Sequence, residues 1–284
     1  MTERVKRLLS WIVGVIVIVG VITAGAAWVG MQALNRMADG EMEQLMANTR
    51  VESQPITESD LADLPTAVQQ WLRQAQVIGQ YPIQAIRLTQ QASLRLSPEQ
   101  PWVSAQAEQA FRVKDPAFVW KANIKMNPLM AVVGRDKYVN GRGEMLIKIL
   151  GLLPVVDARG PEMDQGTMLR YLAEMTWFPT AALSSYLTWE HLDDTHAKAT
   201  MTYGGQSVSG VFAFRENGQV QSFTAQRYKE AQGKFTLENW IVEMVDYKEF
   251  NGLIIPHKAN VIWDLDSGPY HWFSCELVSV DYIY

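Results

Sequence analysis

The chain has 284 residues, 48% of them hydrophobic and 19% charged, a balance that supports a sizeable core and excludes wholesale disorder. Its formal charge is −5, and residues 1–7 hold three cations (Arg4, Lys6, Arg7) against Glu3, so the remainder sums to −7. An acidic body is poorly suited to tracking phosphate backbones, which excludes nucleic acid as the main partner.

From Leu8 to Met31 no residue is charged. A helix needs about 20 mostly apolar residues to cross the hydrocarbon core, so this stretch is long enough to be a transmembrane helix. Three cations precede it, while Asp39, Glu41 and Glu43 follow. The positive-inside rule then puts the N-terminus in the cytoplasm and the body outside it. Trp11 and Trp28 sit near the two ends, where interfacial aromatics belong. A cleaved signal peptide is the competing reading, with Ala24-Gly25-Ala26 as its small-residue site. The apolar run exceeds the usual length of about 7–15 residues, which favours a retained anchor. The organisation expected is a cytoplasmic tail (1–7), a transmembrane helix (8–31), a juxtamembrane linker (32–58) and an exported β-rich domain (59–284). This corresponds to a single-pass protein of a cytoplasmic (inner) membrane with its body in the periplasm or outside the cell.

Pro65 opens a short helix, with Asp63 as its cap and Val68, Trp71, Leu72 and Ala75 on one apolar face. From Ile83 the period changes to two. Ile86, Leu88, Gln90, Ala92, Leu94 and Leu96 point one way and Arg87, Thr89, Gln91, Ser93 and Arg95 the other; Phe118, Trp120, Ala122, Ile124 and Met126 oppose Val119, Lys121, Asn123 and Lys125. That is half-buried antiparallel sheet. Asn140-Gly141, Asn217-Gly218 and Asn251-Gly252 each separate two alternating runs, the strongest short hairpin signal. Gly204-Gly205 and Ser267-Gly268 mark two more reversals. After residue 184 there is no room for the crossovers that parallel strands need. Cys275, the single cysteine, lies in an alternating run and reads as a small core residue.

One helical pattern interrupts the strands. Leu169, Leu172, Ala173 and Thr176 recur at i, i+3, i+4 and i+7, and Arg170, Glu174 and Trp177 form an adjacent stripe. Phe178-Pro179 ends the helix. The fold class that follows is mainly β with a few helices. It has a transmembrane helix and a curved antiparallel sheet or half-barrel, covered by the helix at 168–177.

The segments Arg170-Tyr171-Leu172-x-Glu174-x-x-Trp177-Phe178-Pro179-Thr180-Ala181, Phe223-x-Ala225-x-Arg227-Tyr228 and Ile255-Pro256 resemble an uncharacterised bacterial family, a domain of unknown function. The resemblance covers most of residues 60–284 and implies no known activity. A looser similarity is to the LolA- and LolB-like lipoprotein carriers, in which a curved antiparallel sheet plugged by helices encloses an apolar cavity for acyl chains. It rests on hairpins such as Tyr247–Pro256 and is an analogy of fold.

Arg170 and Glu174 stand in the less favourable order for a helix surface pair, and their neighbours Tyr171 and Trp177 are unlike a solvated face. A polar network with Arg227 and Tyr228, serving either a ligand or the structure, accounts for the set. Glu190, His191, Asp193, Asp194 and His196 crowd one stretch but match no two-histidine metal spacing, and read as a polar hairpin turn. Ser207 and Ser209 read as the outward face of a strand, not as a nucleophile elbow. Gly141-Arg-Gly143 leads into a strand, so it is a hairpin and not a dinucleotide fingerprint. No metal or cofactor is expected.

The sequence therefore points to a membrane-anchored exported domain that binds an apolar or amphiphilic, lipid-like envelope ligand. Arg170, Tyr171, Glu174, Trp177, Arg227 and Tyr228 are the candidate ligand-binding residues. The alternatives are a non-enzymatic interaction domain with a protein partner in an envelope assembly and, less favoured, an envelope hydrolase.

Overall fold

The computed structural model describes residues 3–47, 54–127, 130–231 and 233–284. A long helix α1 (Glu3–Met46) is followed by a short α2 (Thr66–Gln74) and by six strands: β1 (Ala85–Leu94), β2 (Val103–Arg112), β3 (Ala117–Asn127), β4 (Met130–Val139), β5 (Arg142–Ile149) and β6 (Leu153–Arg159). Helix α3 (Pro161–Glu174) and two short 3-10 turns lead to seven more: β7 (Leu187–Asp193), β8 (His196–Tyr203), β9 (Gln206–Phe214), β10 (Val220–Ala231), β11 (Lys234–Phe250), β12 (Leu253–Leu265) and β13 (Gly268–Ile283).

The thirteen strands form one sheet in the order β6-β5-β4-β3-β2-β1-β13-β12-β11-β10-β9-β8-β7. Two antiparallel meanders are thus joined at a seam where β1 pairs with β13. The edges, β6 and β7, are the strands that α3 connects in sequence. Because α3 packs on β4, β5 and β6 of one wing and on β9 and β10 of the other, the sheet is curled around it. A sheet of this size has to curl to manage its surface and edges.

The turns form where the sequence demands left-handed backbone. Asn140-Gly141 (φ 54° and 76°) and Asn251-Gly252 (φ 49° and 84°) are tight reversals of the primed type. The alternation holds too: Ile86, Leu88, Ala92, Leu94, Phe118, Ala122 and Ile124 are buried on the concave side. Two local expectations are corrected. Pro65 itself takes the N-cap position of α2, and no side chain, Asp63 included, caps it. The helix read over 168–177 begins earlier, at Pro161, and ends in a 3-10 turn over Met175–Trp177. Its first turns carry Asp164, Gly166 and Thr167, which break the apolar period yet are buried.

Helix α1 is long and apolar enough to cross a membrane, but only its first part stands free. Ala27, Leu34, Ala38, Met42 and Leu45 are buried, because this half lies along the convex face of β1–β4. Ala38, Met42 and Leu45 pack on Ala110, Ala117 and Val119. Asp39 pairs with Lys121, and Glu41 with Arg135 and Lys137. These partners bury Val119, Lys121 and Arg135, which an alternating strand would otherwise leave in solvent. At the other end of this contact Gly30 touches the β5–β6 turn so closely that a Cβ there would lie 2.6 Å from the Gly151 carbonyl oxygen.

Candidate functional site

Between the sheet and the C-terminal half of α3 lies a cavity of about 510 Å³, within the range of small-molecule sites. Most of its wall is apolar, with side chains from β3–β6, β1 and β11–β13, among them Ile124, Met126, Val132, Met145, Ile147 and Val261. Arg170, Glu174, Trp177 and Arg227 all line it. The residues read from the helical stripe and from β10 therefore meet in one place. Gly166 of α3 sits against Arg227, where a Cβ would come within 3.2 Å of Nε, and Gln165 donates to the Gln226 carbonyl.

Arg170 is the centre of the polar end. Its Nη1 lies 2.5 Å from Asp136 Oδ2 and its Nε donates to Glu174 Oε1 at 2.8 Å. The guanidinium stands 5.0 Å from the ring centroids of both Phe118 and Trp120. Glu174 accepts a further hydrogen bond from Gln109 at 2.8 Å. The side chains of Arg170, Glu174 and Asp136 are 15%, 13% and 3% exposed. Burial pushes the Glu174 carboxyl above the usual carboxylate range, and Arg170 offsets this only in part. For Arg170, burial is outweighed by Glu174 and Asp136, so its guanidinium is held above its ordinary value.

Arg227 differs. It is half-buried, lies 4.6 Å over the Trp240 ring and 5.9 Å over Trp263, and among the described residues has no carboxylate within ion-pair distance. Burial pushes it down to about 10. Nearby, Asp136 Oδ1, Trp240 Nε1 and Trp272 Nε1 are buried without a hydrogen-bond partner. All three residues line the cavity. Buried polar groups of this kind are the exception in folded proteins.

The other two sequence candidates stand outside the wall. Tyr171 is on the opposite side of α3, buried, with its hydroxyl donating to the Arg112 carbonyl at 3.1 Å and 3.0 Å from the Tyr186 hydroxyl. The Tyr228 backbone N–H donates to Gln165 Oε1, and its ring packs edge-on to Phe235. Cys275 is buried on β13 and lines the cavity, with its thiol pushed up to about 12 by burial. Asp193 and His196 close their own hairpin turn at 2.9 Å. Ser207 and Ser209 point outward and bond to Thr202 and Thr200. Among the described residues no group of three His, Cys, Asp or Glu side chains could hold a metal. A second depression, on the convex face, is lined by polar residues such as Gln91, Asn123, Lys125 and Glu276.

The model of a family of unknown function, DUF6544, matches residues 54–275. The chain belongs to this family. Its matched region takes in β1–β12, α3 and every lining residue of the cavity, and the whole of α1 precedes it. No curated protein matches the sequence. Among solved structures, a LolA superfamily protein from Nitrosomonas europaea is similar at 10% identity and a TM-score of 0.41, covering 81% of this chain and 94% of its own. A DUF1329 family protein from Desulfovibrio piger is similar at 10% identity and 0.44, covering 76% and 91%. A domain described as an outer membrane lipoprotein-sorting protein, from Vibrio parahaemolyticus, is similar at 11% and 0.38, covering 70% and 85%. In its own structure the DUF6544 chain carries the curled antiparallel sheet with a helix against its concave face that the sequence implied.

Sequence reasoning passed over Asp136 and Gln109, and it counted Trp240 and Trp272 only among aromatics of which some would line a cavity in a curled sheet. Asp136 carried a usable signal. In β4, Val132, Gly134, Asp136 and Tyr138 share the concave face, and a carboxylate on that face needs a buried cation.

Proposed function

We propose that this DUF6544 protein is a membrane-anchored binder of an amphiphile. The apolar part of the ligand lies against the Met, Ile and Val side chains of β3–β6, and its polar, hydrogen-bond-accepting end meets Arg170, Glu174, Trp177 and Arg227. Tyr171 and Tyr228 act from behind, holding α3 and β10 in place. One observation carries the reading: a mostly apolar cavity holds, side by side, a cation without a carboxylate in ion-pair contact, Arg227, and an indole N–H without an acceptor, that of Trp240. A wholly apolar ligand would leave these groups unsatisfied, at about 1–3 kcal/mol each. A carboxylate or phosphate ester would satisfy them with charge-assisted bonds.

In the same reading α1 crosses the cytoplasmic membrane with the N-terminus inside and the sheet domain on the outer side, an orientation that the charge asymmetry across residues 8–31 supports. The test is purification of the full chain from a bacterial envelope, with native mass spectrometry for retained lipid and titration with a fluorescent fatty acid. Retained lipid and saturable binding that weakens in Arg227→Met support the proposal. Absence of both rejects it.

A further inference from the structure

Strand register orders the cavity along one axis. Within the first wing alternate turns share an end, so the β1–β2, β3–β4 and β5–β6 turns lie together, and the start of β13 joins them through Arg95, which donates to the His271 and Trp272 carbonyls. Helix α1 runs away from that end. Gly30 meets Gly151 of the β5–β6 turn, Asn35 meets Asn123, and the Leu45 carbonyl accepts from Arg112 at the far end of β2. The apolar stretch ending at Met31 thus leaves the body at this set of turns.

The same end is apolar where it should be polar. Leu96 (63% exposed), Trp102 (41%), Met130 (39%), Leu152 (46%), Leu153 (61%) and Val155 (49%) all stand on it. Leu96, Met130 and Val155 are also the outer lining of the cavity. The charged floor is at the other extreme. Asp136 lies six residues beyond Met130 on β4, about 20 Å along the strand, and holds Arg170 there.

We propose that this rim rests in the outer surface of the bilayer that α1 crosses, and that an amphiphile passes between leaflet and cavity head-first, without inverting. The proposal rests on the amphiphile reading above and adds its source and direction. A lipid in the outer leaflet has its head pointing away from the membrane and its chains toward the midplane. Lifted along the membrane normal, it brings its head to Arg170 and Arg227 and leaves its chains at the apolar rim. The run of about 20 Å is enough for one leaflet's share, about 15 Å, of a hydrocarbon core about 30 Å thick. The occupant of the rim is fixed by the chain itself, since the close Gly30–Gly151 contact leaves little room between the rim and the point where α1 enters the bilayer. Exposed apolar side chains clustered at one end, here in three neighbouring turns, mark such a surface.

The test uses the full chain in nanodiscs of phosphatidylcholine and phosphatidylglycerol, with an environment-sensitive label on Leu153→Cys, Trp102→Cys or, at the far end in the β2–β3 turn, Asp115→Cys. Buried Cys275 stays unlabelled. Doxyl lipids should quench the labels at 153 and 102 at least fivefold more than the label at 115, and Leu152→Glu should reduce quenching at 102. Equal quenching at the three sites overturns the proposal. Lipid retained on protein released from the discs, read by native mass spectrometry, reports the cavity separately. Equal quenching with retained lipid rejects the rim and keeps the binder, and strong quenching at 153 and 102 without retained lipid supports the rim and rejects the binder.

Discussion

Asp136 holds Arg170 with one carboxylate oxygen, 2.5 Å from Nη1, and leaves its other oxygen without a partner. The pair is the keystone of the polar end of the cavity, because Glu174 and Gln109 are placed relative to the same guanidinium. Removing one member of a buried pair strands the other, at about 3–5 kcal/mol. Asp136→Ala should therefore lower the thermal midpoint of the detergent-solubilised protein by roughly 10 °C, at about 2–4 °C per kcal/mol for a domain of this size. Asp136→Asn, which keeps a hydrogen bond to Arg170, should cost less than half as much. An alanine variant as stable as wild type would remove Asp136 from the network.

Arg227 should behave in the opposite way. No carboxylate is in ion-pair contact with it, and burial outweighs the pull of Asp136 and Glu174, bringing it down to about 10. Below pH 10 the cost of burial is constant. Arg227→Met keeps an unbranched chain against Trp240 and Trp263 and removes the charge, so the unliganded protein should gain about 1–3 kcal/mol. Affinity for a fluorescent fatty acid should fall at least tenfold, about 1.4 kcal/mol. Stability and binding moving in opposite directions is the signature of a residue kept for a ligand. If both fall together, Arg227 is structural.

Glu174 gives a pH test with a definite sign. Burial holds its carboxyl above the usual carboxylate range, so the native state holds this proton more tightly than the unfolded chain does. Stability contributed by the protonated form is present near pH 4.5 and is lost as pH rises through the folded value. Glu108 and Glu144 titrate the other way. Burial is outweighed at Glu108 by Arg87 and Lys121, and at Glu144 by Lys137, Arg135 and Arg159. They stabilise above the unfolded value and lose that contribution as pH falls. Denaturation of wild type and Glu174→Gln at pH 4.5 and 7 isolates the first effect, since the other carboxylates are common to both. The Gln variant should gain on wild type between pH 4.5 and 7, and a gap that stays constant would contradict the burial account.

What the sequence made legible was local. Period-two runs and Asn-Gly pairs are short-range signals, and they located β1, β3 and the hairpins at 140, 217 and 251. The i, i+4, i+7 stripe put Arg170, Glu174 and Trp177 on one surface, and about two turns of helix cannot separate them. The long-range part was not legible. That β1 pairs with β13, 190 residues away at Thr89–Ser279, is what curls the sheet and brings Trp272 and Cys275 to the same wall as Met126. Tyr171 looked like a partner of Arg170 by proximity in sequence. Adjacent helix positions are about 100° apart, and its hydroxyl faces Tyr186 instead. The early start of α3 was masked by Asp164, whose carboxylate accepts from the Gly143 N–H and Arg142, a tertiary role that no local pattern encodes.

The packing of α1 makes a prediction about where the domain begins. Cutting at residue 59 would uncover Ala110, Ala117 and Val119 and take Asp39 from Lys121 and Glu41 from Arg135 and Lys137. Glu108 and Glu144 would remain as partners, so the ionic loss is partial. The apolar loss is not, since Leu34, Met42 and Leu45 each bury a side chain worth about 1.5–3 kcal/mol. Ordering the helix offsets a share of that gain. A chain beginning at Ala27, the first buried residue of α1, keeps these contacts and omits most of the membrane-crossing stretch. It should melt at least about 5 °C above a chain beginning at residue 59, and the shorter chain should aggregate through the bared face of β2 and β3. Thermal unfolding of the two chains side by side decides this, and equal midpoints would mean that the second half of α1 lies on the sheet without stabilising it.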